Sequence, residues 1–136
     1  MTDTIPEGHL TLLQRPVVAA LATVLPSGQP QVQPVWCSYD GRHVLVNTEK
    51  GRVKYRNLHE RRQATLLLVN PDDVYHWIEI RGTVESESEV GAAAHLDQLA
   101  QRYLGVDKYP WNKPGDVRVL FRIAPRHVVA FGPNAG

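Results

Sequence analysis

Strand-length runs separated by turn residues recur along this sequence, and their number constrains the fold more than any other feature. The clearest run alternates apolar residues at 117, 119, 121 and 123 with Arg118, Leu120 and Arg122, the period expected when one face of a strand is buried. Comparable runs cover residues 16–25, 31–39, 42–48, 64–70, 74–85 and 127–131. Many short strands joined by turns usually close into a barrel or pack as a sandwich. The sequence therefore predicts a mainly β (α+β) fold, with six to seven antiparallel strands and a few short helices.

Proline, glycine and capping residues predict where strands are interrupted and where helices begin. Pro34 lacks a backbone donor, so its strand is expected at a sheet edge or with a bulge, and Gly82 predicts a bulge in the run at 74–85. Residues 6–14 have the pattern of a short N-terminal helix. Ser86 and Glu89 have the spacing of a capping box, which predicts that a helix opens at Ser86 and ends at Gly105. Residues 106–115 are predicted to form an irregular loop.

Length, charge and cysteine content limit the class of protein. A chain of 136 residues is predicted to form one domain over residues 1–136. The single cysteine, Cys37, excludes an internal disulfide, which fits a reducing compartment. No apolar run reaches membrane-spanning length and no signal-peptide pattern opens the sequence, so a cytoplasmic protein is expected. The spacing of histidines and cysteine predicts no metal site.

A cluster of positive charge follows the strand run at 42–48. Residues 50–62 contain six of the fifteen lysines and arginines, and Glu60 is the one acid among them. Gly51 predicts a turn into a short helix, where free N–H groups and the helix dipole add to the positive charge. Such a junction suits a phosphate, although a solvated basic helix face explains the same pattern. The net charge of +1 argues against a nucleic-acid partner, and no membrane partner is expected.

Several motifs, in a fixed order, resemble a known superfamily. They are Leu21-Ala22-Thr23 with Gly28 to Val32, Pro34-Val35-Trp36, Asn47-Thr48 through Lys54 to Asn57-Leu58, and Ile78 to Val84. In these motifs the sequence resembles the split β-barrel flavin and deazaflavin oxidoreductases, the pyridoxamine 5′-phosphate oxidase-like superfamily. Within that superfamily it looks closest to the branch that uses coenzyme F420. The resemblance implies a homodimeric split β-barrel with two cofactor sites at the subunit interface.

The resemblance also implies which residues hold the cofactor. Arg52 and Lys54 are expected to bind its phosphate, with Asn57 in support. Trp36 and Trp77 are candidates to contact the ring or the substrate, although a tryptophan in such a position is more often a core or interface residue. The full cofactor-binding set is Gln31, Pro34, Val35, Trp36, Asn47, Thr48, Lys50, Arg52, Val53, Lys54, Asn57 and Trp77. The cations expected to meet the anionic tail of F420 are Lys50, Arg56, Arg61 and Arg62.

The activity that the resemblance implies is hydride transfer from the reduced deazaflavin to a small conjugated organic substrate. No catalytic residue is assigned, because in such enzymes the cofactor carries the chemistry and the protein positions two rings. One alternative is an FMN-binding flavoprotein of the same superfamily, since FMN also carries a phosphate. A non-catalytic protein that only binds the cofactor is the other alternative.

Overall fold

The strands form one curled antiparallel sheet, described by a computed structural model over residues 2–132. The strands are β1 (Ala19–Val24), β2 (Pro30–Val35), β3 (Cys37–Tyr39), β4 (Val44–Glu49), β5 (Gln63–Val69), β6 (Trp77–Ser88) and β7 (Arg118–Phe131). Their order across the sheet is β2-β1-β5-β6-β7-β4-β3. The two edge strands follow each other in the chain with only Trp36 between them, so the sheet must curl into a half-barrel that brings its edges together. This architecture confirms the predicted mainly β fold.

Three short helices accompany the sheet in the part of the chain that the structure describes. A 3₁₀ turn at Glu7–His9 leads into α1 (Leu10–Gln14), α2 (Val53–Arg61) follows β4, and α3 (Ala92–Leu104) joins β6 to β7. The N-terminal helix and the helix after the basic turn were both predicted. None of the helices within residues 2–132 has the length and hydropathy needed to cross a membrane.

The core lies inside the curl of the sheet. Alternate residues of the central strands are buried there, because successive side chains of a strand point to opposite faces. The largest fully buried side chains include Leu66, Leu68, Ile78, Ile80, Phe121 and Ile123. Leu12 of α1 and Leu58 of α2 are completely buried against the same core, so both helices are held by apolar packing.

Two predicted interruptions are confirmed by the pairing of the strands. Pro34 lies in edge strand β2, where its missing donor costs no ladder hydrogen bond. The register between β6 and β7 shifts between Arg81 and Gly82. A Cβ atom at Gly82 would lie 2.6 Å from the backbone oxygen of Ala124, so this close approach of two strands requires glycine.

Three other expectations are wrong. The run at 31–39 is two strands, because the chain crosses from one sheet edge to the other at Trp36. The runs at 117–124 and 127–131 form a single strand, β7. Ser86 does not open a helix: β6 continues to Ser88, and α3 begins only after Gly91. Continued pairing of β6 with β7 satisfies the backbone of Ser86 to Ser88, which a helix start there would leave without partners.

Candidate functional site

A pocket of about 370 Å³ lies where the two edges of the sheet meet. Its wall includes the crossing from β2 to β3, the end of β4, the start of α2, two leucines of α3, and the loop that precedes β7. Seven of the twelve predicted cofactor residues line it: Pro34, Val35, Trp36, Asn47, Thr48, Arg52 and Lys54. The predicted strand-to-helix junction is therefore one end of a cavity of a size typical for small-molecule sites.

Two cations stand at the junction between β4 and α2. Arg52 is the N-cap residue of α2, with extended backbone angles, and Lys54 lies in the first turn of that helix. Lys54 Nζ donates a hydrogen bond to Gln33 Oε1 at 3.2 Å, and Arg52 Nε lies 3.7 Å from Glu49 Oε2. Burial lowers the pKa of Lys54, and the nearby charges of Arg52 and Arg118 lower it further. This end of the pocket thus concentrates positive charge that an anion would neutralise.

Thr48 offers a polar group with no partner in the fold. Its side chain is 1 % exposed and lines the pocket, and no group within residues 2–132 hydrogen-bonds its Oγ1. Buried hydroxyls almost always have a partner, because leaving one unpaired costs free energy. The orphan hydroxyl therefore points to a polar ligand atom in the pocket.

A buried network of hydrogen bonds around Asn47 lies next to the cationic end of the pocket. Asn47 Nδ2 donates to the backbone oxygen of Ala92 at 2.8 Å and lies 3.2 Å from His95 Nδ1, and its Oδ1 accepts from Arg118 Nε at 2.9 Å. His95 Nε2 is 2.9 Å from Ser38 Oγ. These partners assign a neutral His95 that accepts at Nδ1 and donates at Nε2. Asn47, predicted as a cofactor residue, thus uses its whole amide to join α3, β4 and β7.

Aromatic residues form the opposite wall. Trp36 is stacked on Tyr103 with ring centroids 5.2 Å apart, and Tyr109 meets Trp36 edge-on at 6.1 Å. Trp111, which is 59 % exposed, packs edge-on against Tyr109 at 5.5 Å. The Tyr103 hydroxyl donates to the backbone oxygen of Val17 at 2.7 Å, so the base of the stack is tied to the sheet. A flat apolar wall of this kind suits a planar ring.

Two predicted residues, Gln31 and Asn57, lie outside the pocket in a separate cluster. Asn57 is 1 % exposed, and its Nδ2 donates to Thr23 Oγ1 at 3.0 Å. Its Oδ1 accepts from Arg61 Nη2 at 2.8 Å, and Gln31 Oε1 lies 3.5 Å from both Thr23 Oγ1 and Asn57 Nδ2. These contacts fasten α2 to β1, so Asn57 holds the helix that carries Lys54.

The three remaining predicted residues also do not line the pocket. Lys50 forms an exposed ion pair with Glu89 at 3.2 Å, and Val53 is 39 % exposed on α2. Trp77 stacks on Phe131 at 5.7 Å, at the start of β6. Of the other cations assigned to a tail, Arg62 pairs with Glu87 and Arg61 with Glu60. None of these lines the pocket either, so the structure does not bring the predicted tail cations to it.

Arg118 lines the pocket but was not assigned to the site from the sequence. Arg118 stands opposite Glu49 in the antiparallel pairing of β7 with β4. From the sequence, the alternation along its strand shows only that Arg118 lies on the polar face. Only the pairing of β4 with β7, whose paired residues are 69 or more positions apart in the chain, places Arg118 beside Arg52.

The neutral state of His95 predicts a dependence of stability on pH. Burial, followed by the charges of Arg102 and Arg122, lowers the pKa of His95 from 6.5 to about 4. Between these values the unfolded chain binds the proton and the folded chain does not, so the free energy of unfolding falls as the pH is lowered through this window. The loss is at most about 3 kcal/mol and stops below the folded pKa.

The measurement is urea unfolding at several pH values between about 7 and 4, for the native protein and for His95→Asn. Asparagine cannot take up a proton, so the difference in free energy between the two proteins should change across the window. A difference that stays constant with pH would show that His95 titrates alike in the folded and unfolded chains.

Comparisons with known proteins agree on the fold. The family model described as pyridoxamine 5′-phosphate oxidase matches residues 5–131. A solved structure of an F420 reductase is 33 % identical in sequence, with a TM-score of 0.81 over 92 % of this chain and 98 % of its own. A conserved hypothetical protein from Mycobacterium tuberculosis is 22 % identical, with a TM-score of 0.67 over 94 % of this chain and 85 % of its own. The heme storage protein HutZ from Vibrio cholerae is 18 % identical, with a TM-score of 0.64 over 93 % and 94 % of the two chains. The comparison with curated proteins found no match.

Proposed function

The chain belongs to the pyridoxamine 5′-phosphate oxidase family, and on that premise we propose that it is an oxidoreductase that binds coenzyme F420 in the pocket at the meeting sheet edges. The observation that carries this proposal is a single cavity with a cationic end and an aromatic wall. F420 joins a planar deazaflavin ring to a phosphodiester and an anionic tail, so its two ends match the two ends of the pocket.

The cationic end would hold the phosphate. Lys54 Nζ has one neutral partner, Gln33, and Arg52 is only loosely paired with Glu49, so both can donate to an incoming phosphate oxygen. The backbone N–H groups of the first turn of α2 add the partial positive charge of a helix N-terminus. The Thr48 hydroxyl would gain its missing partner from the same ligand.

The aromatic wall would position the ring. Trp36 is held by its stack on Tyr103, and Pro34 and Val35 extend the apolar surface along the edge strand. When bound and reduced, the deazaflavin supplies the hydride for an acceptor. The protein would hold the acceptor against the ring. Tyr109 and Trp111, which line the pocket, would limit the access of water to it.

F420 is favoured over FMN by one comparison. The F420 reductase is 33 % identical over nearly the whole chain. The cations expected to bind the tail do not distinguish the two cofactors, because Lys50, Arg61 and Arg62 are paired with acids away from the pocket. The choice between F420 and FMN therefore rests on the similarity to that protein and on direct measurement.

A second copy of the chain would complete the site. An apolar face on β2, β1 and β5 is exposed, with Val18 54 %, Val32 62 % and Leu67 39 % accessible. Val18 and Pro34 belong both to this face and to the pocket wall, so a partner covering the face would also reach the pocket. The arrangement supports the homodimer with cofactor at the interface that the family resemblance implies.

Fluorescence titration of the purified protein with F420, and separately with FMN, tests the cofactor. We expect micromolar or tighter binding of F420 and weaker binding of FMN; the reverse order would assign the protein to the flavin branch, and binding of neither would overturn the proposal.

Oxidation of reduced F420 with a panel of conjugated acceptors then separates an enzyme from a carrier, which would bind without turnover. Light scattering on the same samples should give twice the chain mass of 15.3 kDa.

A further inference from the structure

We propose that Arg118 is a third anion-binding residue of the pocket and that Asn47 is the positioning residue that presents it. The inference rests on the proposed function, because it concerns the anionic part of the same ligand. It assigns to the pocket three cations, Arg52, Lys54 and Arg118, against the single carboxylate of Glu49. The ligand it predicts carries at least two negative charges close together, as a phosphate ester next to a carboxylate or a second phosphate does.

The guanidinium of Arg118 is held in place, and although Glu49 and Asp116 lie close enough to act on its charge, neither forms an ion pair with it. Its Nε donates to Asn47 Oδ1 at 2.9 Å, and its central carbon lies 5.5 Å from the centre of the Tyr109 ring. Among the described residues no carboxylate forms an ion pair with it, and no acceptor bonds its two Nη groups. A half-buried arginine fixed at Nε and stacked on an aromatic ring keeps its terminal N–H groups ready for a planar or tetrahedral anion.

The position of Arg118 joins it to the phosphate end of the pocket. Arg118 and Glu49 are opposite each other in the pairing of β7 with β4, and Glu49 also lies 3.7 Å from Arg52. Its charge is close enough to Lys54 to contribute to the lowered pKa of that lysine. The three cations therefore act on the same region of the cavity, where their mutual repulsion is relieved by a bound anion.

Asn47 has only one arrangement in which it can hold Arg118. Its Nδ2 must face the backbone oxygen of Ala92, which accepts only, so its Oδ1 faces Arg118. His95 Nδ1 accepts from the same Nδ2 group, and Ser38 Oγ lies 2.9 Å from His95 Nε2. This chain of buried partners fixes the amide, which in turn fixes the guanidinium.

The first test compares two ligands. F420 and its deazaflavin chromophore without phosphate and tail are titrated into the native protein, Arg118→Gln and the control Arg42→Gln, an exposed arginine outside the pocket. We expect Arg118→Gln to weaken F420 binding about tenfold and to change binding of the chromophore less than about twofold. Equal F420 affinity in the native protein and Arg118→Gln, with the loss present in Lys54→Ala, would overturn the inference and leave the proposed function standing.

A double-mutant cycle tests the role of Asn47. Asn47→Ala should weaken F420 binding about as much as Arg118→Gln, and should have little further effect when Arg118 is already glutamine. Additive losses would show that Asn47 acts independently of Arg118. If Asn47→Ala does not fold, Asn47→Ser carries the same expectation, because its shorter side chain cannot reach Arg118.

Pyrophosphate tests the anion site without the ring. It should raise the Tm of the native protein and of Arg42→Gln, and raise that of Arg118→Gln less. This result would support the inference even if the native protein bound neither F420 nor FMN, which would overturn the proposed function alone. Equal shifts in the native protein and Arg118→Gln, or no response of the native protein to any of the three ligands, would overturn the inference.

Discussion

Lys54→Ala is expected to weaken the binding of F420 about tenfold to a hundredfold. The Nζ group of Lys54 would donate a charge-assisted hydrogen bond to the phosphate, and such a bond contributes roughly 1.5–3 kcal/mol. Among the residues that the structure describes, Lys54 bonds only the neutral Gln33, so its removal breaks no ion pair there and should leave the fold intact. Fluorescence titration gives the affinity, and urea unfolding verifies that the free energy of unfolding is unchanged within about 0.5 kcal/mol.

Arg56→Ala is the matched control for Lys54→Ala. Arg56 is an exposed cation of the same helix and does not line the pocket, so its removal makes the same change in net charge. Its effect on F420 binding should be less than about twofold if only long-range charge is involved. Unchanged binding in Lys54→Ala, with an intact fold, would show that the phosphate is held elsewhere.

Phe121→Ala is expected to lower the free energy of unfolding by about 3–5 kcal/mol. Phe121 is completely buried in β7, where it stands opposite Val46 of β4 and Glu87 of β6. Its ring also lies 5.8 Å from that of Tyr55, the residue that follows Lys54 in α2. Removing the ring would leave a cavity between the sheet and the helix that carries Lys54.

Phe131→Ala provides the comparison for the core variant. Phe131 is 52 % exposed at the end of the same strand, so the same truncation there should cost about 1 kcal/mol or less. Urea unfolding of both variants measures the difference. A loss in Phe121→Ala as small as that in Phe131→Ala would mean that the sheet and α2 collapse into the space left by the ring.

Much of the sheet could be predicted from local patterns. Alternation and turn residues located the segments that form the sheet to within a few residues, although one predicted strand is two, β2 and β3, and two predicted strands are one, β7. The misplaced start of α3 shows the limit of this reasoning. Ser86 and Glu89 have the spacing of a helix start, yet strand pairing with β7 extends through Ser88. A local capping signal is worth about 1 kcal/mol, and several ladder hydrogen bonds outweigh it.

In the candidate site, too, the place of some residues could be predicted from the sequence and that of others could not. Arg52 and Lys54 are two positions apart at a turn into a helix, so the basic junction they form, where we propose that the phosphate binds, could be predicted from adjacent residues. Asn57 has the right spacing for that motif, but its side chain faces β1 and fastens the helix instead. The sequence did not distinguish the roles of Trp36 and Trp77. The structure shows that Trp77 stacks on Phe131 and that Trp36 lines the pocket.

Residues close together in the chain predict the segments that form strands, the basic turn and the apolar character of Pro34 to Trp36. They do not predict that the chain crosses between the sheet edges at Trp36, that these segments meet in one pocket, or that Asn47 bonds Arg118, which lies 71 residues further along the chain. The physical reason is the register of the sheet. A strand's own pattern tells which side chains share a face, but the partner that each one meets depends on pairings between distant segments.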